Sequence, residues 1–179
     1  MQGILINSYA PDFELPGVDD EVHHLARYLE EYRAVVVIFM CNHCPYVRFY
    51  LNRLKQLQQD YQEQGVILVG INANDATQYP DDSFENMKIF AEEQKLNFPY
   101  IRDITQDVAH CFGASNTPEI FLLDHQGIVR YRGLIDDSPT AAEAVTQPYL
   151  RNALTQLLNN EPITLEYTDA IGCSIKWRH

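Results

Sequence analysis

The run Val35-Val36-Val37-Ile38-Phe39-Met40 carries no charge and ends at Cys41-Asn42-His43-Cys44-Pro45. An unbroken apolar run of mostly β-branched residues is the pattern of a strand buried on both faces, as in sheets covered by helices. Beyond the cysteines, Val47, Leu51, Leu54, Leu57 and Tyr61 recur at helical spacing, with Arg48, Arg53, Lys55 and Gln58 between them. A helix therefore follows the strand at once, and Pro45 suits its first turn, where a missing N–H costs nothing. Gly65 stops this helix, and Val66 to Ile71 reads as a second buried strand. Strand, helix and strand of these lengths make a right-handed parallel unit whose two strands end at the same sheet edge. That edge carries the C-x-x-C, with Asn72, Asn74 and Asp75 expected beside it.

Two cysteines three apart at a helix start have Cα atoms roughly 5–6 Å apart, close enough for an unstrained disulfide. At the helix entrance, Cys41 is expected to face unpaired N–H groups and the positive end of the helix dipole, which favour its thiolate and make it the attacking sulfur. His43 is placed to donate to that thiolate. A stabilised thiolate stabilises the reduced pair, which makes the disulfide a stronger oxidant. The C-x-H-C arrangement resembles the active sites of the protein disulfide isomerase and DsbA families. Zinc would need two further ligands at matching spacing, and no second C-x-x-C or H-x-x-x-H is present, so neither a metal nor a cofactor is expected.

At 179 residues and 46% hydrophobic composition the chain suits one domain, with residues 1–33 as an extension, 34–159 as the core and 160–179 as a tail. A net charge of −12 repels nucleic acid and anionic membrane, which leaves proteins or small molecules as partners. The first residues lack a basic region followed by a long apolar stretch, and no segment is apolar enough to span a bilayer. Four cysteines then fit working thiols in a reducing cytoplasm, the expected location.

Elsewhere, Ala10 to Gly17 reads as an edge strand or hairpin closed by Pro16-Gly17, and Leu25 to Tyr32 as a short helix or turn. Tyr79-Pro80-Asp81-Asp82-Ser83 is a loop ending in a helix cap, ahead of a helix over 84–94. A short strand over 98–101, a short helix over 105–112, a hairpin of 119–124 with 128–133, and a last helix over 139–159 complete the reading, with Gly133 to Asp136 returning to the active edge. Cys111 reads as a buried thiol acting as a small hydrophobe. Cys173 could fold back over the active edge and exchange with Cys41, or merely pack while Ile175 and Trp177 anchor the tail. His23, His24, His110, His125 and His179 show no metal spacing and read as surface residues.

Several stretches resemble known families. Ala10-Pro11-Asp12-Phe13-Glu14-Leu15-Pro16 is similar to the opening of peroxiredoxins and TlpA-type oxidoreductases. Thr117-Pro118 before an antiparallel strand resembles the second hallmark of the thioredoxin fold, which implies a cis proline facing the C-x-x-C. Together with the motifs at 41–47, 71–75, 79–83 and 172–177, these residues resemble a peroxiredoxin-like, AhpC/TSA-related subgroup of the thioredoxin-fold superfamily. The resemblance implies an α/β thioredoxin-like fold: a central mixed β-sheet flanked by helices, with an N-terminal hairpin extension and a C-terminal tail.

The chain departs from thioredoxins at Met40, where they keep tryptophan, and at Val35, where they keep a buried aspartate. Another proton acceptor is needed, and Asp75, Glu119 and Asp136 are the candidates at the edge. Relatives carry cysteine at the position of Asn116. The leading expectation is a thiol-disulfide oxidoreductase in which Cys41 attacks, Cys44 resolves and His43 tunes the thiolate. Asn42, Thr117 and Pro118 would hold the substrate, with the Thr117 backbone pairing to it like a strand. Its partners would be a protein disulfide, small thiol or peroxide, and a reductase or thiol as electron donor. A peroxidase with a Cys41 sulfenate resolved by Cys44 or Cys173 is the alternative, disfavoured because Ile38, Phe39 and Met40 stand where peroxiredoxins keep proline and threonine. A redox-regulated binding module is the third reading.

Overall fold

The computed structural model describes residues 4–179. In chain order a hairpin of β1 (Glu14–Pro16) and β2 (Val22–His24) leads into α1 (Leu25–Glu31) and β3 (Ala34–Phe39). Next come α2 (Pro45–Tyr61), β4 (Val66–Asn72), α3 (Phe84–Glu93) and β5 (Tyr100–Arg102). The chain continues through α4 (Asp107–Phe112), β6 (Asn116–Thr117), β7 (Glu119–Asp124), β8 (Val129–Gly133), α5 (Tyr149–Leu158) and β9 (Cys173–Ser174).

The apolar run forms the centre of a five-stranded mixed sheet of order β5-β4-β3-β7-β8. β3 is parallel to β4, with Val37 opposite Val69, and antiparallel to β7, with Val37 opposite Phe121. Strand geometry sends alternate side chains to opposite faces. Val36, Ile38 and Met40 pack with Leu51 and Leu54 of α2, Met87 and Phe90 of α3, and Leu150 and Leu154 of α5. Val35, Val37 and Phe39 pack on the other face with Val108, Ala109 and Phe112 of α4. Every β3 residue is buried, and each large aliphatic side chain so placed contributes roughly 1.5–3 kcal/mol of transfer free energy. This is the thioredoxin-like layout expected from the resemblance, with the hairpin β1–β2 as an added two-stranded sheet.

Met40 is buried, and Gly70 on β4 makes room for it: a Cβ there would stand 2.6 Å from Met40 Sδ. Gly65 ends the α2 segment with φ +82°, the left-handed turn that the sequence assigns to it.

Three expectations need correction. The last helix covers only Tyr149–Leu158, because Pro148 cannot continue a helical ladder; residues 139–147 form turns and a single 3-10 turn at Ala142–Ala144, and Asp137 Oδ1 accepts the Thr146 and Gln147 N–H groups. Cys111 is exposed: Val108, Ala109 and Phe112 take the inward face of α4 and its helical turn points Cys111 away. α2 begins at Pro45, so Cys44 and not Cys41 sits at the helix mouth. Among the described residues no helix is long and apolar enough to cross a membrane.

Candidate active site

The loop from β3 into α2 brings both sulfurs of the C-x-x-C against the Thr117-Pro118 turn, whose peptide bond is cis. Cys41 Sγ lies 3.7 Å from Thr117 Oγ1, and Cys44 Sγ lies 3.4 Å from the Thr117 carbonyl. Both cysteines are free, and each is only 1% exposed.

Cys44 is the N-cap of the 17-residue helix α2. A hydrogen bond from the Cys41 thiol pulls its pKa down to about 4; burial opposes this, while Cys173, the Thr117 hydroxyl and the Val47 N–H add further donors. Against these, the Thr117 carbonyl lies within reach of the Cys44 thiol as an acceptor and favours its protonated form. Cys41 moves the other way. Its thiol is pushed far above the ordinary range, first by donating to Cys44, then by burial and by the Asp82 carboxylate. The hydrogen bond between the two sulfurs thus favours Cys44 as the more acidic member of the pair. The sequence reading favours the thiolate on Cys41, at the helix entrance; in the structure the helix entrance, with its dipole, lies at Cys44.

Beside Cys41 stands a carboxylate that the sequence reading did not select. Asp82 is fully buried in the Pro80–Asp82 turn; its carboxylate accepts three hydrogen bonds and pairs with His43. Its Oδ1 takes the Asn42 N–H at 2.7 Å and Asn72 Nδ2 at 3.2 Å; its Oδ2 takes Asn74 Nδ2 at 3.0 Å and faces His43 Nδ1 at 3.0 Å as an ion pair when the ring is protonated. Three donors and a facing imidazole thus surround the buried carboxylate. The Cys41 sulfur, a His43 ring nitrogen and an Asp82 oxygen lie within 4.8 Å of one another, with the His43 ring partly open to solvent. A thiol, an oriented imidazole and a buried carboxylate in contact can move a proton from sulfur to solvent.

The surrounding scaffold fixes this cluster. Tyr100 Oη donates to Asn42 Oδ1 at 2.7 Å and accepts from Asn72 Nδ2 at 3.0 Å. Buried Arg102 donates to the Asp82 carbonyl at 3.2 Å and the Asn74 carbonyl at 2.7 Å. Asn72 and Asn74 thus do lie at the active edge, as the βαβ reading predicts, because β3 and β4 end together. Asn42 is buried and bonded to Asp81, Asp82 and Tyr100, which makes it a pin of the loop and not a free substrate contact.

The three acids singled out from the sequence are engaged elsewhere. Asp75 Oδ1 accepts the Thr77 N–H at 3.1 Å. Glu119 caps the Ser115 and Asn116 N–H groups and pairs with Arg132 at 3.1 Å. Asp136 pairs with Arg53 at 2.8 Å and accepts from Tyr50 Oη at 3.0 Å. None bonds to a sulfur or to His43. The signal for Asp82 was present in the Asp-Asp of 79–83, but a loop acid two residues before a helix reads as a solvated residue until its neighbours are known.

The tail closes the site. β9 pairs antiparallel with β6, Thr117 opposite Cys173 and Asn116 opposite Ser174. Ile175 and Trp177 pack on the sheet face shared with α4, and Trp177 stacks on His110 at 4.2 Å. The expected anchoring by these two residues therefore holds, and Cys173 reaches the active edge, next to Cys44.

Residues 6–132, more than two thirds of the chain, match the AhpC/TSA family. The chain belongs to that family. An uncharacterized conserved protein from Geobacillus kaustophilus is 41% identical, with a TM-score of 0.91 over 99% of this chain and 97% of that one. The thiol:disulfide interchange protein DsbE of Pseudomonas aeruginosa is 31% identical over 137 residues, 74% of this chain and 69% of that protein. The thioredoxin domain of a thiol-disulfide oxidoreductase from Bacteroides vulgatus shares the fold at 20% identity, with a TM-score of 0.63 over 73% of this chain and 89% of that one. This AhpC/TSA-family chain is an oxidoreductase on a thioredoxin fold.

Proposed function

We propose that the chain is a thiol-disulfide oxidoreductase whose redox pair is Cys41 and Cys44. The observation that carries this reading is the geometry of the two sulfurs at the cis Thr117-Pro118 turn: Cys44 at the helix N-cap, Cys41 beside His43 and Asp82. A thiolate that is stable is also a good leaving group, so an external thiol attacking the disulfide at Cys41 expels Cys44 readily. In the opposite direction, Cys41 passes its proton to His43, attacks a substrate disulfide, and the waiting Cys44 thiolate releases the product by attacking Cys41 Sγ. Each turn reduces one disulfide and oxidises the pair, and a dithiol reductase or small thiol restores it.

Substrates are protein disulfides or small disulfides that reach Cys41 past the Thr117 turn. The peroxidase reading is weaker, because Ile38, Phe39 and Met40 are all buried apolar residues and offer no polar group to hold a peroxide. The cytoplasm is the proposed compartment, supported by four cysteines that suit working thiols. Cell fractionation checks that point.

The test is insulin or glutathione-disulfide reduction with a dithiol donor, beside hydrogen peroxide consumption. Exchange that is lost in both Cys41→Ser and Cys44→Ser supports the reading. Peroxide turnover without exchange, or exchange that survives either substitution, refutes it.

A further inference from the structure

The strand edge at Thr117, where an extended substrate would pair, is already taken. Gly172 packs so closely that a Cβ on it would stand 2.1 Å from the Thr117 carbonyl oxygen. Asn116 Nδ2 donates to the Gly172 carbonyl at 3.2 Å, and Thr117 Oγ1 donates to the Cys173 carbonyl at 3.5 Å. Residues directly opposite in an antiparallel pair send their side chains to the same face, with Cβ atoms about 4.5–5.5 Å apart. The Thr117 side chain points at Cys41, so its partner Cys173 points to the same side, and it packs against the core group that contains Cys41 and Cys44. Cys173 is thus presented to the C-x-x-C as the cysteine of a bound peptide would be. Of the three thiols it alone is partly exposed, the other two being 1% exposed.

We propose that Cys173 is a third redox thiol, an internal substrate that exchanges with the Cys41–Cys44 disulfide by attacking Cys44. The proposal rests on the Cys41–Cys44 pair being redox-active, as argued above. In the exchange the Cys173 thiol loses its proton to solvent and its sulfur bonds to Cys44 Sγ. The Cys41–Cys44 bond breaks, and its electron pair leaves on Cys41, which takes a proton by way of His43. One disulfide is consumed and one formed, so no outside oxidant or reductant enters. The bond that raises Cys41 most, its donation to Cys44, cannot exist while Cys44 is in a disulfide, so Cys41 is a better leaving group here than in the reduced pair. The product staples the tail across the Thr117 edge and moves the disulfide from two buried sulfurs to one that solvent reaches. An external thiol then attacks at Cys173, and the tail carries electrons into a closed site.

Trypsin separates the outcomes, because residues 34–48 hold both Cys41 and Cys44 while residues 152–176 hold Cys173. The full-length protein is oxidised with diamide at low concentration, blocked with N-ethylmaleimide and digested without reduction. Wild type is expected to give both the internal 34–48 disulfide and a product joining the two peptides. Cys41→Ser should give the joined product alone, and Cys44→Ser should give none. In Cys173→Ser the internal disulfide should still form, but its re-reduction by glutathione should slow by about tenfold, since the exposed entry thiol is gone. The proposal is overturned if Cys41→Ser leaves Cys44 and Cys173 both alkylated, if Cys44→Ser joins Cys41 to Cys173, or if Cys173→Ser is re-reduced at the wild-type rate. An internal disulfide that forms and turns over without any joined product sinks this inference alone; failure of that disulfide to form in any variant sinks the underlying pair as well.

Discussion

Gly172→Ala opens the site without unfolding the protein. The new Cβ would meet the Thr117 carbonyl oxygen at 2.1 Å and the carbonyl carbon at 2.8 Å, and backbone atoms cannot swing aside as a side-chain tip can. β9 must therefore lift from β6. The lost contacts are the Asn116 to Gly172 and Thr117 to Cys173 hydrogen bonds and the short ladder between the strands. At about 1 kcal/mol net for each bond, the closed arrangement loses roughly 2–3 kcal/mol. Local opening that is easier by this amount raises access to the buried sulfurs by about 30- to 150-fold. The remainder of the tail stays in place. Ile175 N–H still donates to the Ser115 carbonyl at 3.0 Å, Lys176 N–H to Asn74 Oδ1 at 2.9 Å and Arg178 N–H to Gln106 Oε1 at 3.0 Å, while Ile175 remains buried. The assay is iodoacetamide labelling of the reduced protein, read on residues 34–48, with exposed Cys111 in residues 103–130 as the internal standard. Labelling of 34–48 should accelerate by that factor while Cys111 keeps its rate. Equal labelling in mutant and wild type would refute the closure by β9, and parallel acceleration of Cys111 would show general loosening instead.

Asp82→Asn puts an amide NH2 where an oxygen now accepts two donors, which costs about 2–4 kcal/mol of stability and frees the His43 ring. Exchange should slow by about 10- to 100-fold, although Cys41 itself ionises at lower pH once the carboxylate charge beside it is gone; rapid-mixing exchange rates and Cys41 alkylation against pH in a Cys44→Ser background read the two effects separately. Asp136→Asn should also destabilise, by roughly 1–3 kcal/mol, since it leaves half-buried Arg53 without its carboxylate, yet the pH profile of exchange should keep its shape. The Cys44 pKa is depressed in the folded, reduced protein, from 9.0 to about 4, so its stabilising contribution is fully present above about 9 and lost as pH falls toward 4. Denaturant titrations of reduced wild type should therefore lose stability from pH 9 to pH 5 relative to reduced Cys44→Ser, at a slope of up to about 1.4 kcal/mol per pH unit. A flat difference would place the charge elsewhere. Cys41, shifted the other way, contributes nothing to this slope below its ordinary range.

The architecture was legible in the chain because periodicity is local. An uncharged run of six, a helical stripe after it and a glycine stop define β3, α2 and β4 by spacing alone, and the pairing Ala34 to Val66 through Phe39 to Ile71 follows from burying both runs. The C-x-x-C and Thr117-Pro118 were legible for the same reason, as short motifs on strand ends. Helix ends were not. Whether Cys41 or Cys44 caps α2 depends on three residues of loop geometry, and that shift put the helix dipole at Cys44 instead of Cys41.

What the sequence determined, then, is a sheet edge bearing two sulfurs, a histidine and a threonine-proline turn. Only the tertiary structure decided which acid joins them and which thiol stands third. Asp82 is 41 residues from Cys41, and Cys173 is 56 residues from Thr117. Their roles come from packing: Asp82 from the buried amides that point their donors at it, and Cys173 from a strand register that no spacing along a tail encodes. Electrostatic and hydrogen-bonding environment belongs to neighbours in space, so a carboxylate or a thiol takes its chemistry from contacts that exist only after the chain has folded.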